Sequence, residues 1–262
     1  MKLIWFLRSA LMTLFIPVWV LILGPSAMLF KLLFNNRNTD SFFINIWGRV
    51  TCWTFGIDVK VEGRENIPDS GCLFLFNHSS FFDVFALCVA LPEVRFGAKA
   101  ELFKIPVFAQ TMRMMGTLPI ARNNREEVYK IYEEAKVRFA NKEKFALSPE
   151  GGRFYGPHLS PFKAGPFIFA MSAQAPLVPV VITGAYECLP KHAIFTNKER
   201  KNRTIHLQIL KPVSTVDFDK NGRQLLQYTV YSKMDPIWSD YYQKHLAENI
   251  ADGIVKPEVS QN

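Results

Sequence analysis

The stretch Cys72-Leu73-Phe74-Leu75-Phe76-Asn77-His78-Ser79-Ser80-Phe81-Phe82-Asp83 decides how this chain is read. Five uninterrupted apolar residues read as a fully buried strand, and residues 82–91 read as a helix ended by Pro92. Between the two, His78 and Asp83 stand five residues apart. At that spacing the aspartate can bond one ring nitrogen, fix the tautomer and stabilise the imidazolium. The other nitrogen is then free to take a proton from a hydroxyl. The same spacing also suits a buried structural histidine satisfied by its neighbour, so the pair alone leaves both readings open.

On either side the chain alternates between strand and helix patterns. Residues 57–62 alternate as a strand, 63–71 read as loop, 94–98 as a strand, and 102–115 as a helix entered near Pro106. Residues 125–140 form the clearest soluble helix, with Val128, Ile131, Tyr132, Ala135 and Phe139 on one face and Asn124 with Glu127 as a capping pattern. Strands follow at 145–147, 178–183 and 204–210, with a helix at 165–175 between the first two. This order predicts an α/β fold, a single domain with a mixed central sheet flanked by helices. Ligand sites in such folds gather where strands end and loops begin. The expected boundaries are a membrane-docking region at 1–55, a central domain at 56–215, and a C-terminal helical extension with a polar tail, frayed after Glu248, at 216–262.

Composition sets the surroundings. Hydrophobic residues make up 49% and aromatics 14% of the 262, more than a soluble domain needs, while 21% charge argues against a multi-span transporter. A formal net charge of +8 suits an anionic lipid surface or an acidic carrier. Nucleic acid is disfavoured as a partner, because no zinc-ligand spacing, basic-zipper pattern or RNA-binding aromatic signature is present. Cys52, Cys72, Cys88 and Cys188 form no paired framework, which points to a reducing compartment.

No charge occurs from Ser9 to Phe30, a run that covers about 33 Å as a straight helix and suffices to span a bilayer. Pro17 and Gly24-Pro25 argue against one straight helix, and cations on both flanks leave its orientation open. The Ser26-Ala27 site is a poor one for signal cleavage. In 41–55, Phe42, Phe43, Ile46, Trp47, Val50, Trp53 and Thr54 share one helical face, which fits both packing on the domain and contact with lipid.

Three further clusters fall at element ends. The run 116–122 delivers Arg122 to a loop. Pro149-Glu150-Gly151-Gly152-Arg153 sets a carboxylate and an arginine around two flexible residues. Leu177-Val178-Pro179-Val180-Val181 puts a proline at the start of a buried strand. Arginine's planar fork suits a phosphate. In isolation each cluster also reads as a solvated loop charge, a local turn or a strand boundary.

In order and content these motifs resemble the glycerolipid acyltransferase family. Its Asn-His-x-Ser-x-x-Asp block is similar to Asn77–Asp83 with Ser80, and its Gly-x-x-Pro-x-x-Arg block to Gly116–Arg122. The Phe-Pro-Glu-Gly-Thr-Arg block corresponds to Pro149–Arg153 and the Val-Pro-x-Val block to Val178–Val181. The flanking stretches 98–106 and 163–165 also look like the family's. Ser148 stands where the family has an aromatic, Gly152 where it has threonine, and Ala121 where it often has aspartate, which leaves the acceptor less defined than the reaction.

The resemblance implies an O-acyltransferase that moves a fatty acyl group from acyl-CoA or acyl carrier protein to the sn-2 hydroxyl of 1-acyl-glycerol-3-phosphate. His78 is then the base and Asp83 its orienting partner. Arg122 and Arg153 bind the acceptor phosphate, Glu150 and Gly151 shape that site, and Lys104 assists. No cofactor or metal is implied beyond the thioester co-substrate. The implied partners are the lysophospholipid, the anionic bilayer surface and the donor, with the domain on the cytoplasmic face. The alternatives are a different acceptor such as glycerol 3-phosphate, a serine hydrolase using Ser79 or Ser80, and a non-catalytic lipid-binding protein.

Overall fold

A computed structural model of the chain describes residues 2–34, 36–91, 93–120, 124–196, 203–218, 220–251 and 253–255. Two long helices, α1 (Lys2–Phe34) and α2 (Arg37–Thr54), lead into strand β1 (Asp58–Glu62). Next come β2 (Cys72–Phe76), α3 (Phe82–Ala90) and β3 (Val94–Lys99), then a 3-10 turn at Ala100–Lys104, α4 (Phe108–Met114) and β4 (Leu118–Ile120). The chain continues through α5 (Arg125–Ala140), β5 (Lys144–Leu147), α6 (Ala164–Ser172), β6 (Leu177–Thr183), α7 (Ala185–Cys188), β7 (Thr204–Ile209) and α8 (Arg223–Ala251).

The seven strands form one sheet in the order β1-β7-β6-β2-β5-β3-β4. All neighbours run parallel except β6 and β7, so the sheet is mixed. Its two faces are separated by the period of two along each strand. Cys72, Phe74 and Phe76 join the core under α3, with Val178, Val180 and Ile182 beside them. Leu73, Leu75, Leu177 and Val181 face the opposite core, filled by Phe139 of α5, Phe167 and Phe169 of α6, and Leu226, Val230 and Trp238 of α8. Burial on both faces is why β2 and β6 read as unbroken apolar runs.

Pro179 lies inside β6, not at its start. Leu177 and Val213 exchange backbone bonds, and regular pairing resumes at Val180 with Ile209, one residue out of step. The missing Pro179 N–H falls at that bulge, where the ladder has no bond to lose.

Three sequence expectations are corrected. Helix α1 is continuous through Pro17 and Pro25. Each proline removes one donor, but packing of Met12 and Ile16 on the main core and of Leu23 and Ala27 against Phe43 and Met115 holds the segment together. The helix expected over 102–115 is two pieces. Extended Ile105 precedes Pro106, Val107 sits at φ 63, and Gln110 Oε1 accepts the Val107 N–H at 2.7 Å to start α4. The tail after Glu248 is not frayed at its beginning, since α8 runs to Ala251 with Asn249 fully buried.

The apolar face expected on α2 divides. Phe43 and Ile44 are buried and Trp47 packs edge-on against Phe85 at 5.2 Å, whereas Phe42 and Trp53 are exposed. Gly48 lets α2 cross α3 closely, because a Cβ there would lie 2.7 Å from Phe85 O.

Candidate active site

The parallel strands β6, β2, β5, β3 and β4 end along one edge of the sheet, and the sequence-predicted residues gather there. His78 follows β2, Glu150 and Arg153 follow the adjacent β5, and Lys104 lies beyond β3. Arg122, two positions past the end of β4, lies outside the described residues.

Asn77 sets the turn after β2. Its Nδ2 donates to Ile182 O at 2.9 Å and its Oδ1 accepts Ile182 N–H at 2.7 Å, a two-point clamp onto β6. His78 comes next, with its side chain 18% exposed, and its Nδ1 meets Asp83 Oδ2 at 2.8 Å. The same oxygen accepts the backbone N–H groups of Ser79 at 2.7 Å and Ser80 at 2.8 Å. Asp83 is wholly buried in the first turn of α3, so three convergent N–H donors hold one carboxylate oxygen in place. A carboxylate is an acceptor only, which assigns the proton between the two to His78 Nδ1 and leaves Nε2 as the basic nitrogen.

The backbone of His78 is held from both sides. Its N–H donates to Glu150 Oε1 at 2.8 Å, and its carbonyl accepts Phe154 N–H at 2.8 Å. Glu150 Oε2 accepts Ser160 N–H at 3.1 Å. Burial pushes the Glu150 carboxyl up to about 7. The backbone N–H groups of His78 and Ser160 oppose the rise, and the Asp83 charge adds to it. Glu150 is 2% exposed with both oxygens engaged. Its geometry is that of a brace under the histidine, a role that its place in the sequence did not signal.

Gly151 takes φ 73, a left-handed conformation that turns the chain outward after Glu150. Arg153 is half-buried, and among the described residues nothing pairs with its guanidinium. Lys104 is exposed at the end of its 3-10 turn, with no hydrogen bond to the dyad. Among the described residues, neither serine hydroxyl is hydrogen-bonded to His78. Ser80 Oγ donates to Leu189 O at 2.8 Å, and Ser79 Oγ is buried without a hydrogen-bond partner among the described residues. The hydrolase alternative therefore lacks its nucleophile–base contact.

Residues 58–183 match the family model described as Acyltransferase. A 1-acyl-sn-glycerol-3-phosphate acyltransferase of Salmonella typhimurium is 29% identical over 234 residues, covering 85% of this chain and 90% of that protein. The protein of the same name from Saccharomyces cerevisiae is 32% identical over 171 residues, covering 63% and 55%. The chloroplastic BAT2 enzyme of Brassica napus is 29% identical over 165 residues, covering 62% and 48%. The chain thus spans about half the length of several curated relatives that it matches. Among solved structures, the 1-acyl-sn-glycerophosphate acyltransferase PlsC of Thermotoga maritima superposes with a TM-score of 0.75 at 25% identity, covering 94% of this chain and 98% of that one.

Proposed function

We propose that the chain is a member of the acyltransferase family whose model it matches and that it moves a fatty acyl group from an acyl thioester to the free hydroxyl of 1-acyl-glycerol-3-phosphate, giving phosphatidic acid. The observation that carries this reading is the dyad: His78 Nδ1 bonded to Asp83 at 2.8 Å, with Arg153 delivered from the adjacent strand end.

In this mechanism the acceptor hydroxyl gives its proton to His78 Nε2 as its oxygen attacks the thioester carbonyl carbon. Asp83 stabilises the imidazolium so formed. Collapse of the tetrahedral intermediate breaks the carbon–sulfur bond, and the leaving thiolate takes the proton from His78. The thioester is already activated, so no covalent acyl-enzyme and no cofactor are called on. A positioned base contributes about 10²–10⁴-fold, and holding the two substrates together supplies the rest. Arg153 and Arg122 bind the acceptor phosphate, Gly151 lets backbone approach it, Lys104 assists, and Glu150 shapes the site by bracing His78. The donor is acyl-CoA or acyl carrier protein.

The N-terminal region supplies the lipid side. Ser9–Phe34 is apolar enough to cross a membrane by length and composition. Its inner face packs on the domain, while Leu7, Leu11, Leu14, Val18, Leu21 and Leu29 form an exposed stripe at helical spacing. A small apolar cavity lies between α1, α2 and α4, lined by Leu23, Ala27, Trp47, Phe108 and Met112. The reading is therefore of a membrane-docked enzyme with its catalytic domain on the cytoplasmic face.

The test is to incubate the purified chain in detergent with a labelled acyl thioester and a panel of lysolipids and glycerol 3-phosphate. The expected result is thiol release with labelled phosphatidic acid as the main product. Thioester left unconsumed with every acceptor would overturn the reading, and a different labelled product would reassign the acceptor.

A further inference from the structure

The segment between β5 and α6 carries Glu150, Gly151 and Arg153, yet it forms neither strand nor helix. Four of its backbone polar groups are met from α8. Trp238 Nε1 donates to Gly156 O at 2.9 Å, Tyr231 Oη to Leu159 O at 3.0 Å, and Gln227 Nε2 to Phe162 O at 3.1 Å. Asp235 Oδ1 accepts Leu159 N–H at 2.8 Å, while Oδ2 pairs with His158 Nδ1 at 2.9 Å. Gln227, Tyr231, Asp235 and Trp238 recur at helical spacing, so one face of α8 follows the segment from its far end back toward Arg153.

The near end is tied down separately. Fully buried Glu187 accepts from Tyr155 Oη at 2.9 Å, Tyr241 Oη at 3.0 Å and Asn249 Nδ2 at 3.1 Å. The Tyr155 ring stacks on Tyr186 with centroids 3.8 Å apart. Two short paths then lead to the dyad. Ser160, next to Leu159, donates to Glu150, which holds His78 N–H. Phe154, next to Tyr155, donates to His78 O.

We propose that α8, which lies wholly outside the matched family domain, positions the acceptor-binding segment, and that Asp235 is its central positioning residue. The proposal rests on the function proposed above. It makes the C-terminal helix a determinant of how tightly a phosphate-bearing lipid acceptor is held, without itself touching the reacting atoms. An unstructured segment whose backbone groups are satisfied by a helix face keeps its shape only while that face keeps its donors and acceptors.

The experiment compares Asp235→Ala, Asp235→Asn and Tyr231→Phe in the purified full chain. Asp235→Ala is expected to raise the KM for 1-acyl-glycerol-3-phosphate at least about tenfold while the donor KM moves less than about twofold. Asp235→Asn keeps an oxygen for Leu159 N–H and is expected to recover most of that loss. Hydrogen exchange supplies a readout that does not need turnover: amides of Leu159 and Ser160 should exchange faster in Asp235→Ala, with β2 and β6 unchanged. Should Asp235→Ala not fold, Tyr231→Phe removes one bond to the same residue and carries the same expectation at about threefold. An unchanged acceptor KM, or equal rises for donor and acceptor, overturns the positioning role. Absence of transfer by the unsubstituted chain overturns the proposed function instead, and exchange at Leu159 and Ser160 then decides the positioning role alone.

Discussion

The backbone N–H of His78 donates to Glu150 Oε1 at 2.8 Å, which ties the end of β2 to the end of β5 directly beneath the candidate base. A residue 72 positions away therefore fixes the peptide from which the imidazole projects. With Asp83 holding the ring and Glu150 the backbone, His78 is constrained at both ends before a substrate arrives. Such preorganisation spares the reaction a reorganisation cost.

Replacing His78 with alanine is expected to lower kcat by about 10²–10⁴-fold and leave melting temperature and lipid association close to the parent's. The ring is partly exposed and meets the core only edge-on at Phe76, with centroids 5.8 Å apart, so its loss is expected to leave the fold intact. Retained turnover in purified His78→Ala would sink the base assignment.

Asp83→Asn keeps an oxygen for the N–H groups of Ser79 and Ser80 but removes the charge that, in the proposed mechanism, stabilises the imidazolium. A drop in kcat of about 10²-fold or more is expected, with both KM values within about threefold. A rise in acceptor KM at unchanged kcat would mean that Asp83 serves binding and not the base.

For Arg153→Ala and Arg122→Ala, the expected defect is an acceptor KM raised about tenfold or more, from loss of a charge-assisted bond to phosphate. Lysine at either position should recover only part, since its point charge does not reproduce the guanidinium fork. An acceptor KM unchanged in one variant would remove that arginine from the phosphate site.

Glu150 links stability to pH. Its carboxyl is pushed up to about 7 by burial, so the folded chain holds that proton more tightly than the unfolded one. The resulting stabilisation is complete below the ordinary carboxylate range and is lost as pH rises through about 7. The melting temperature of the parent should therefore fall relative to that of Glu150→Gln between about pH 5 and about pH 8. Parallel curves over that range would show that Glu150 titrates normally.

The exposed stripe of α1 makes a separate prediction about lipid. Leu11→Asn, Leu14→Asn and Val18→Asn combined should weaken binding to anionic vesicles at least about tenfold, while thioester transfer in detergent stays near the parent's. Undiminished vesicle binding would place the lipid contact elsewhere on the chain.

Much of this arrangement was legible in the amino-acid order. The unbroken apolar runs of β2 and β6, the helical face of α5 and the His78–Asp83 spacing are local patterns, and short-range sterics with hydrophobic periodicity specify them without help from distant residues. Two of the motif blocks, Asn77–Asp83 and Pro149–Arg153, follow strand ends, whereas Val178–Val181 lies inside β6. Long-range contact decided the rest. Only the folded sheet puts β5 beside β2, turning Glu150 from a loop carboxylate into the brace of His78. Packing carries α1 through its two prolines, and the face of α8, with Glu150 and Glu187, gives shape to a segment that forms neither strand nor helix. A backbone group that finds no partner nearby in sequence must find one in space, and sequence order alone does not say where.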